Sequence, residues 1–239
     1  MLFFYVRHGD PIYNPNQLTP LGRRQAEAVG KRLAVYGVDK IYASSSNRAM
    51  QTAQPTCEIL KKDLEILDFC NEDHAWADFA LELPDGRKTW SFYHPELRRL
   101  FVDPSVTAMG LEWYKHPKLE KYNFKKGLDR IQKELDALLL SHGYEHIPGT
   151  GTYKAVRPND DRIALFAHQG FGMNFMSQLL DIPYPFYSTH FDITHTGMTV
   201  IEFKDEGDGI VIPKVLTLSS DSHIYKEGLP TNYANYIRF

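Results

Sequence analysis

Leu2-Phe3-Phe4-Tyr5-Val6-Arg7-His8-Gly9-Asp10-Pro11 is the stretch on which the fold turns. Its five apolar residues, aromatic and β-branched, predict a strand Leu2–Val6 buried on both faces, and the abrupt change at Arg7 ends it. A polar loop and a helix follow. Thr19 and Pro20 have the form of an N-cap and a first helical position, Ala26, Val29, Leu33 and Tyr36 recur at helical spacing, and Gly37 closes the segment. Strand, polar loop and helix make a first βα unit.

The same design returns further along. Arg162–Ala167 is a second continuous apolar strand, stopping at His168-Gln169-Gly170 ahead of a helix over about 172–180. Between the two, Lys40–Ala43 is a short strand leading into Ser44-Ser45-Ser46. Those hydroxyls are suited to cap a helix with Met50, Ala53, Cys57 and Leu60 on one face and a kink at Pro55. Leu64–Phe69 is a third strand. From about 71 to 122 the pattern gives way to aromatic, acidic and proline-rich sequence, an insertion. Phe124, Leu128, Ile131, Leu135 and Leu138 then form the clearest amphipathic helix, ended by Gly143. Glu145–Val156 is a hairpin around Pro148-Gly149-Thr150-Gly151, which precedes no helix and so is a turn and not a nucleotide loop. Met198–Phe203 and Ile210–Leu218 are a closing pair of strands. The expected fold is α/β: three layers, a mostly parallel central sheet with helices on both faces, and one domain over 1–239 with a cap insertion at 71–122.

Composition narrows the function classes. With 43% hydrophobic and 24% charged residues in 239, the chain is neither disordered nor fibrous. Its 27 basic and 30 acidic residues give −3, which offers no global attraction to nucleic acid or an anionic membrane, so any anion site is local. Cys57 and Cys70 form no CxxC, which indicates neither a disulfide scaffold nor a cysteine zinc site. Leu2–Val6 is too short for a signal peptide, and no window approaches the ~20 apolar residues of a membrane span. A cytoplasmic location is expected.

In open α/β sheets ligands lie outside the carboxyl ends of the strands. Two predicted strands end there in histidine, His8 and His168; Arg7 precedes one, and Arg48 begins the helix after the second strand. Two imidazoles and two guanidiniums at strand ends describe an anion site, with phosphate the favoured ligand because guanidinium forks and helix N-termini both suit its oxygens.

These residues resemble the histidine phosphatase superfamily, the group that includes cofactor-dependent phosphoglycerate mutase. Arg7-His8-Gly9 is similar to its RHG signature, Leu18-Thr19 with Gly22, Gln25 and Ala26 to its LTxxGxxQA stretch, Ser44 to Ala53 with Arg48 and Thr52 to its SxxxRAxxTA helix start, and Ala167-His168-Gln169-Gly170 to its second-histidine motif. Two departures stand out: Asp10-Pro11 replaces the usual Glu-Thr or Glu-Ser, and His-Gln-Gly replaces HGG or HGN. The resemblance implies a nucleophilic His8, with Arg7, Arg48 and His168 stabilising charge on the transferred phosphoryl group and Asn14 and Gln169 at phosphate-binding positions. Asn71-Glu72-Asp73-His74 resembles the acidic motif, which implies Glu72 as general acid and base, with Asp73, Asp78 and Glu82 as nearby alternatives.

The expected function is a metal-independent phosphatase, without cofactor, hydrolysing a small phosphorylated metabolite through a phosphohistidine on His8. A phosphoglycerate mutase-type phosphotransferase shares every catalytic residue, and an inactive phosphate-binding or scaffold protein is the alternative of another class. The insertion, with Trp76, Trp90, Tyr93, Trp113, Tyr114, Arg87, Lys88, Arg98 and Arg99, is either a selective lid or a satellite core with solvated charges. His142 and His146 are separated by the helix end and make no expected metal pair, while His190, His195 and His223 are read as structural.

Overall fold

A computed structural model of the chain describes residues 1–231. β1 (Leu2–Arg7) passes through the two-residue strands β2 (Pro11–Ile12) and β3 (Gln17–Leu18) into α1 (Pro20–Tyr36). β4 (Lys40–Ala43) leads to α2 (Asn47–Leu60), and β5 (Leu64–Ile66) leads through a 3-10 turn, Asp68–Cys70, to α3 (Glu72–Phe79). An excursion follows: β6 (Ala80–Glu82), β7 (Lys88–Trp90), α4 (Pro95–Phe101), α5 (Pro104–Thr107) and the 3-10 segment Gly110–Lys115. The chain returns through α6 (Phe124–Ser141), β8 (Tyr144–Ile147), β9 (Thr152–Ala155), β10 (Arg162–Ala167), α7 (Gln169–Leu179) and α8 (Tyr184–His190). It continues through β11 (Met198–Glu202), β12 (Ile210–Val211), β13 (Lys214–Ser220) and α9 (Ser222–Lys226).

Six strands form the central sheet in the order β13-β11-β1-β10-β4-β5. β1, β10, β4 and β5 are mutually parallel, and β11 runs antiparallel to β1. The apolar run at the N-terminus becomes the centre of the sheet because both of its faces are covered: Phe3, Phe4, Tyr5 and Val6 are completely buried. Side chains alternate across the pleat, so Phe4 and Val6 pack with Val29 and Leu33 of α1 and Ala53 of α2, while Phe3 and Tyr5 pack with Leu135 of α6 and Phe171 and Phe175 of α7. This is the three-layer α/β arrangement expected.

The local signals at α1 hold in detail. Thr19 Oγ1 accepts the Gly22 N–H at 2.9 Å, Pro20 opens the helix, and Gly37 closes it in the left-handed region at φ 70°. Elsewhere the expectations need correction. The third strand stops at Ile66, because Asp68–Cys70 turns into a 3-10 segment. Ser46 is the N-cap residue of α2 but makes no side-chain capping bond. The segment 210–218 divides at Pro213: β12 pairs with β9, and only β13 pairs with β11. A proline lacks the N–H that a continuous ladder there would use.

The excursion contributes to the main core. Phe101 and Trp113 are buried, and the Trp113 ring stacks on Tyr184 with centroids 5.6 Å apart. Arg87, Lys88, Arg98 and Arg99 point to solvent. Among the described residues, no helix is long and apolar enough to cross a membrane.

Candidate active site

Register decides the site. Arg7 pairs with Ala167 in the parallel β1–β10 ladder, so the next residues, His8 and His168, leave adjacent strand ends together. The His8 N–H continues the ladder to the Ala167 carbonyl at 2.9 Å, and Ser44 N–H does the same to Phe166 from the neighbouring β4. His8, His168 and Ser44 therefore share the carboxyl edge of the sheet. The two imidazole centroids are 5.2 Å apart, and both residues are buried.

Burial pushes the His8 pKa well below the ordinary histidine value, and the nearby His168, Arg7 and Arg48 push it further the same way. The ring is therefore neutral and holds one proton. His8 Nδ1 lies 2.7 Å from the Gly9 carbonyl, which can only accept, so Nδ1 carries that proton and Nε2 keeps its lone pair. This is the tautomer of a nucleophile. Gly9 is required by the same geometry: a Cβ there would fall 2.6 Å from the Gly22 carbonyl oxygen of α1.

His168 is also neutral, its pKa lowered by burial and then by Arg48 and Arg7. Its Nε2 is 2.8 Å from Ser44 Oγ. That oxygen also accepts the Ser46 N–H, and Nδ1 faces Glu72 Oε2 at 3.3 Å, an arrangement that suits a Ser44 hydroxyl donating to Nε2 and an imidazole proton on Nδ1. The hydroxyl expected to cap α2 thus bonds a histidine ring instead.

Glu72 enters at the first position of α3. Its Oε1 accepts the Phe171 N–H at 3.2 Å, and its Oε2 is 3.3 Å from His168 Nδ1, out of line for a hydrogen bond, and 3.6 Å from an Arg48 terminal nitrogen. Burial raises the Glu72 pKa against the opposing pull of Arg48 and Arg7. A carboxyl group raised in this way is fitted to give and take a proton. Asp78, one of the alternatives, is engaged at 3.0 Å by Arg130, and Glu82 is exposed on β6.

Arg48, nearly buried at the start of α2, donates to Asn16 Oδ1 at 3.2 Å, and Arg7 donates to the Ile193 carbonyl at 2.6 Å. Arg7 Nε, Arg48 Nε and His168 Nδ1 are buried without a protein partner, as are both ring nitrogens of His195. An unpaired buried donor costs about 1–3 kcal/mol, so several converging on one place form a site shaped for an acceptor. His8, Arg7, Arg48, Asn16, Glu72 and Gln169 line a cavity of about 540 Å³. His8, Glu72 and His168 each have a donor atom within 4.8 Å of the others, a spacing that a metal ion accepts. The two guanidiniums beside them repel a cation and attract an anion, so this donor set favours phosphate.

Gln169 reaches the cavity while donating to Tyr93 at 2.9 Å and to Asp192. Asn14 is exposed and lies outside the cavity lining. Asn16, two residues on in the same loop, stands against Arg48 and Ser46 instead. His195, read from sequence as structural, has its ring 5.7 Å from that of His8, and burial followed by the charge of Arg7 pushes its pKa down to about 3. His223 is packed as expected, with Nε2 3.0 Å from Thr196 Oγ1 in the loop that carries His195. The signal for His195 lay in topology: it precedes β11, which runs antiparallel to β1 and so starts at the site edge. His190 is exposed.

Residues 3–78 match the histidine phosphatase superfamily (branch 1). The serine/threonine-protein phosphatase Pgam5, mitochondrial, of Drosophila melanogaster is 28% identical over 145 residues. That alignment takes in 58% of this chain and 45% of the relative, so the chain spans less than half the length of the curated relatives it matches. Among solved structures, the phosphoserine phosphatase of Entamoeba histolytica in complex with 3-phosphoglyceric acid superposes with a TM-score of 0.57 at 19% identity, covering 93% of this chain and 98% of that one. The mycobacterial glucosyl-3-phosphoglycerate phosphatase gives 0.58 at 17% identity over 92% and 99%. The α-ribazole phosphatase of Shigella flexneri gives 0.56 at 17% over 92% and 97%. At these identities the likeness is one of fold.

Proposed function

We propose that the protein is a phosphatase that hydrolyses a phosphomonoester through a phosphohistidine on His8. The observation that carries this reading is the neutral His8 ring, with Nδ1–H bound to the Gly9 carbonyl and Nε2 free beside Arg7, Arg48 and the raised carboxyl of Glu72. In the first step the Nε2–phosphorus bond forms and the ester P–O bond breaks, while Glu72 gives its proton to the leaving oxygen. In the second, the Glu72 carboxylate takes a proton from water, the water oxygen bonds phosphorus, and the P–N bond breaks to release phosphate and neutral His8. Arg7, Arg48 and the Nδ1–H of His168 supply donors for the equatorial oxygens, and Asn16 and Gln169 adjoin them. The segment 71–122 acts as the cap, through α3 and β7.

His8→Ala tests the reading. The variant is expected to unfold at the same temperature as the wild type within a few degrees, to release no phosphate from p-nitrophenyl phosphate, and to trap no acid-labile phosphate on the protein. Turnover by the folded variant would remove the phosphohistidine from the mechanism.

A further inference from the structure

Beside the arginines the cavity is lined by aromatic side chains. Trp76 and Trp90 meet edge to face with centroids 4.9 Å apart, and Tyr13 lies against the Arg48 guanidinium at 5.4 Å. Trp90 is held from both sides. It stacks on Phe92 at 5.7 Å and 11°, and it rests on Gly170, where a Cβ would fall 2.3 Å from the indole. Trp76 follows Glu72 by four residues on α3, so the wall begins one helical turn, about 5–6 Å, from the carboxyl group that serves the leaving oxygen.

Charge around this wall points the same way. Beyond Arg7 and Arg48 no lysine or arginine among the described residues lines the cavity, and Asp73 is the charge that α3 adds at its rim. A substrate carboxylate here would face Asp73 and the apolar surface of two indoles, with no further cation to pair. An aromatic ring would pack against them.

We propose, on the phosphatase reading above, that the ester oxygen of the substrate is borne directly on an aromatic ring. The substrate is then an aryl phosphomonoester, and carboxylate-bearing esters such as phosphoserine and 3-phosphoglycerate are poor substrates. The P–O bond to the ring oxygen breaks as the Nε2–P bond forms, and the Glu72 proton passes to that oxygen, so a phenol leaves.

Phosphonates, which cannot be hydrolysed, separate binding from catalysis. Calorimetric titration of the wild-type chain is expected to show benzylphosphonate binding at least tenfold tighter than methylphosphonate, and phosphonoacetate weaker than either. Trp76→Leu and Trp90→Leu should each bring the benzyl-to-methyl ratio to within about threefold, and Trp76→Phe should retain most of it, with thermal unfolding confirming that each variant is folded. Kinetics follow the same order: KM for phenyl phosphate or for a phosphotyrosine peptide at least tenfold below KM for phosphoserine. The comparison of those two esters distinguishes a free phenol from a protein side chain. Equal binding of the benzyl and methyl compounds, or tightest binding of phosphonoacetate, overturns the proposal. A tenfold benzyl preference without phosphate release from any ester upholds the aromatic ligand class and overturns the catalytic reading on its own.

Discussion

Replacing His146 with glutamine should weaken the protein at neutral and acid pH and make no difference in alkali. His146 on β8 lies between two carboxylates: Nδ1 is 3.1 Å from Asp136 of α6, and Nε2 is 3.1 Å from Asp181, which follows the end of α7 and also accepts the Gly151 N–H. Burial by itself lowers the His146 pKa, but the hydrogen bonds and charges of Asp136 and Asp181 outweigh it and raise the value from 6.5 to about 9. That rise corresponds to about 3 kcal/mol at most, and screening at the half-exposed Asp136 brings it to about 2 kcal/mol. The raised value means that the folded state holds the proton more tightly than the unfolded chain. The stabilisation is therefore complete below pH 6.5 and is lost as pH rises through about 9. Urea unfolding at about pH 6, 7.5 and 9.5 would measure it. His146→Gln should lower stability by about 2 kcal/mol at the first pH and by under about 0.5 kcal/mol at the last. A penalty that is the same at all three would mean that His146 acts through packing against Tyr153 and not through its charge.

Glu72→Gln should slow hydrolysis of alkyl phosphates far more than release of p-nitrophenol, because nitrophenolate leaves without a proton. A burst of nitrophenol followed by slow turnover, with phosphate held on His8, is the expected stopped-flow record, and wild-type behaviour on both substrates would shift the acid to another residue. Gly22→Ala should destabilise the protein by about 1–3 kcal/mol in urea titrations, because its Cβ would fall 2.2 Å from the Asp10 carbonyl and force α1 away from the loop after His8. A change under about 0.5 kcal/mol would show that this approach relaxes freely.

What could be read from the sequence was what local physics determines. The runs Leu2–Val6 and Arg162–Ala167 are apolar on both faces because each strand is covered on both, and the residue after each must then emerge at the sheet edge; this made His8 and His168 legible. Thr19, Pro20 and Gly37 announce α1 for reasons contained within the helix itself. Asn16 was not legible, because Asn14 and Asn16 share one loop and only its path decides which reaches Arg48. His195 depends on an antiparallel strand joining the sheet beside β1, a pairing between residues some 190 positions apart that no local pattern encodes. The aromatics of the insertion divide for a similar reason: Trp113 packs into the core against Tyr184 while Trp76 and Trp90 line the cavity, a division set by long-range packing.

The departure at Asp10-Pro11 takes on a specific meaning in three dimensions. Asp10 Oδ2 accepts the Thr19 hydroxyl at 2.7 Å, its carbonyl accepts the Thr19 N–H at 2.9 Å, and its own N–H goes to Gln25 at 2.8 Å. Three bonds thus tie the loop after His8 to the first turns of α1, and the carboxylate is occupied in structure. The Gly9 N–H is likewise taken, by Thr52 at 3.0 Å. With those groups engaged and no hydroxyl at position 11, the donors left for a phosphoryl group in the proposed mechanism are Arg7, Arg48, the Nδ1–H of His168 and the N–H of His195, whose Nδ1 is 3.6 Å from Asp10. Because His195 is neutral, it offers that donor without adding positive charge beside His8. A cation there would add to the neighbouring charges that already lower the His8 pKa and would oppose the positive charge that the imidazole gains as Nε2 bonds phosphorus. On the proposed phosphohistidine reading, a neutral third imidazole would stand in for that hydroxyl while leaving His8 its electron density.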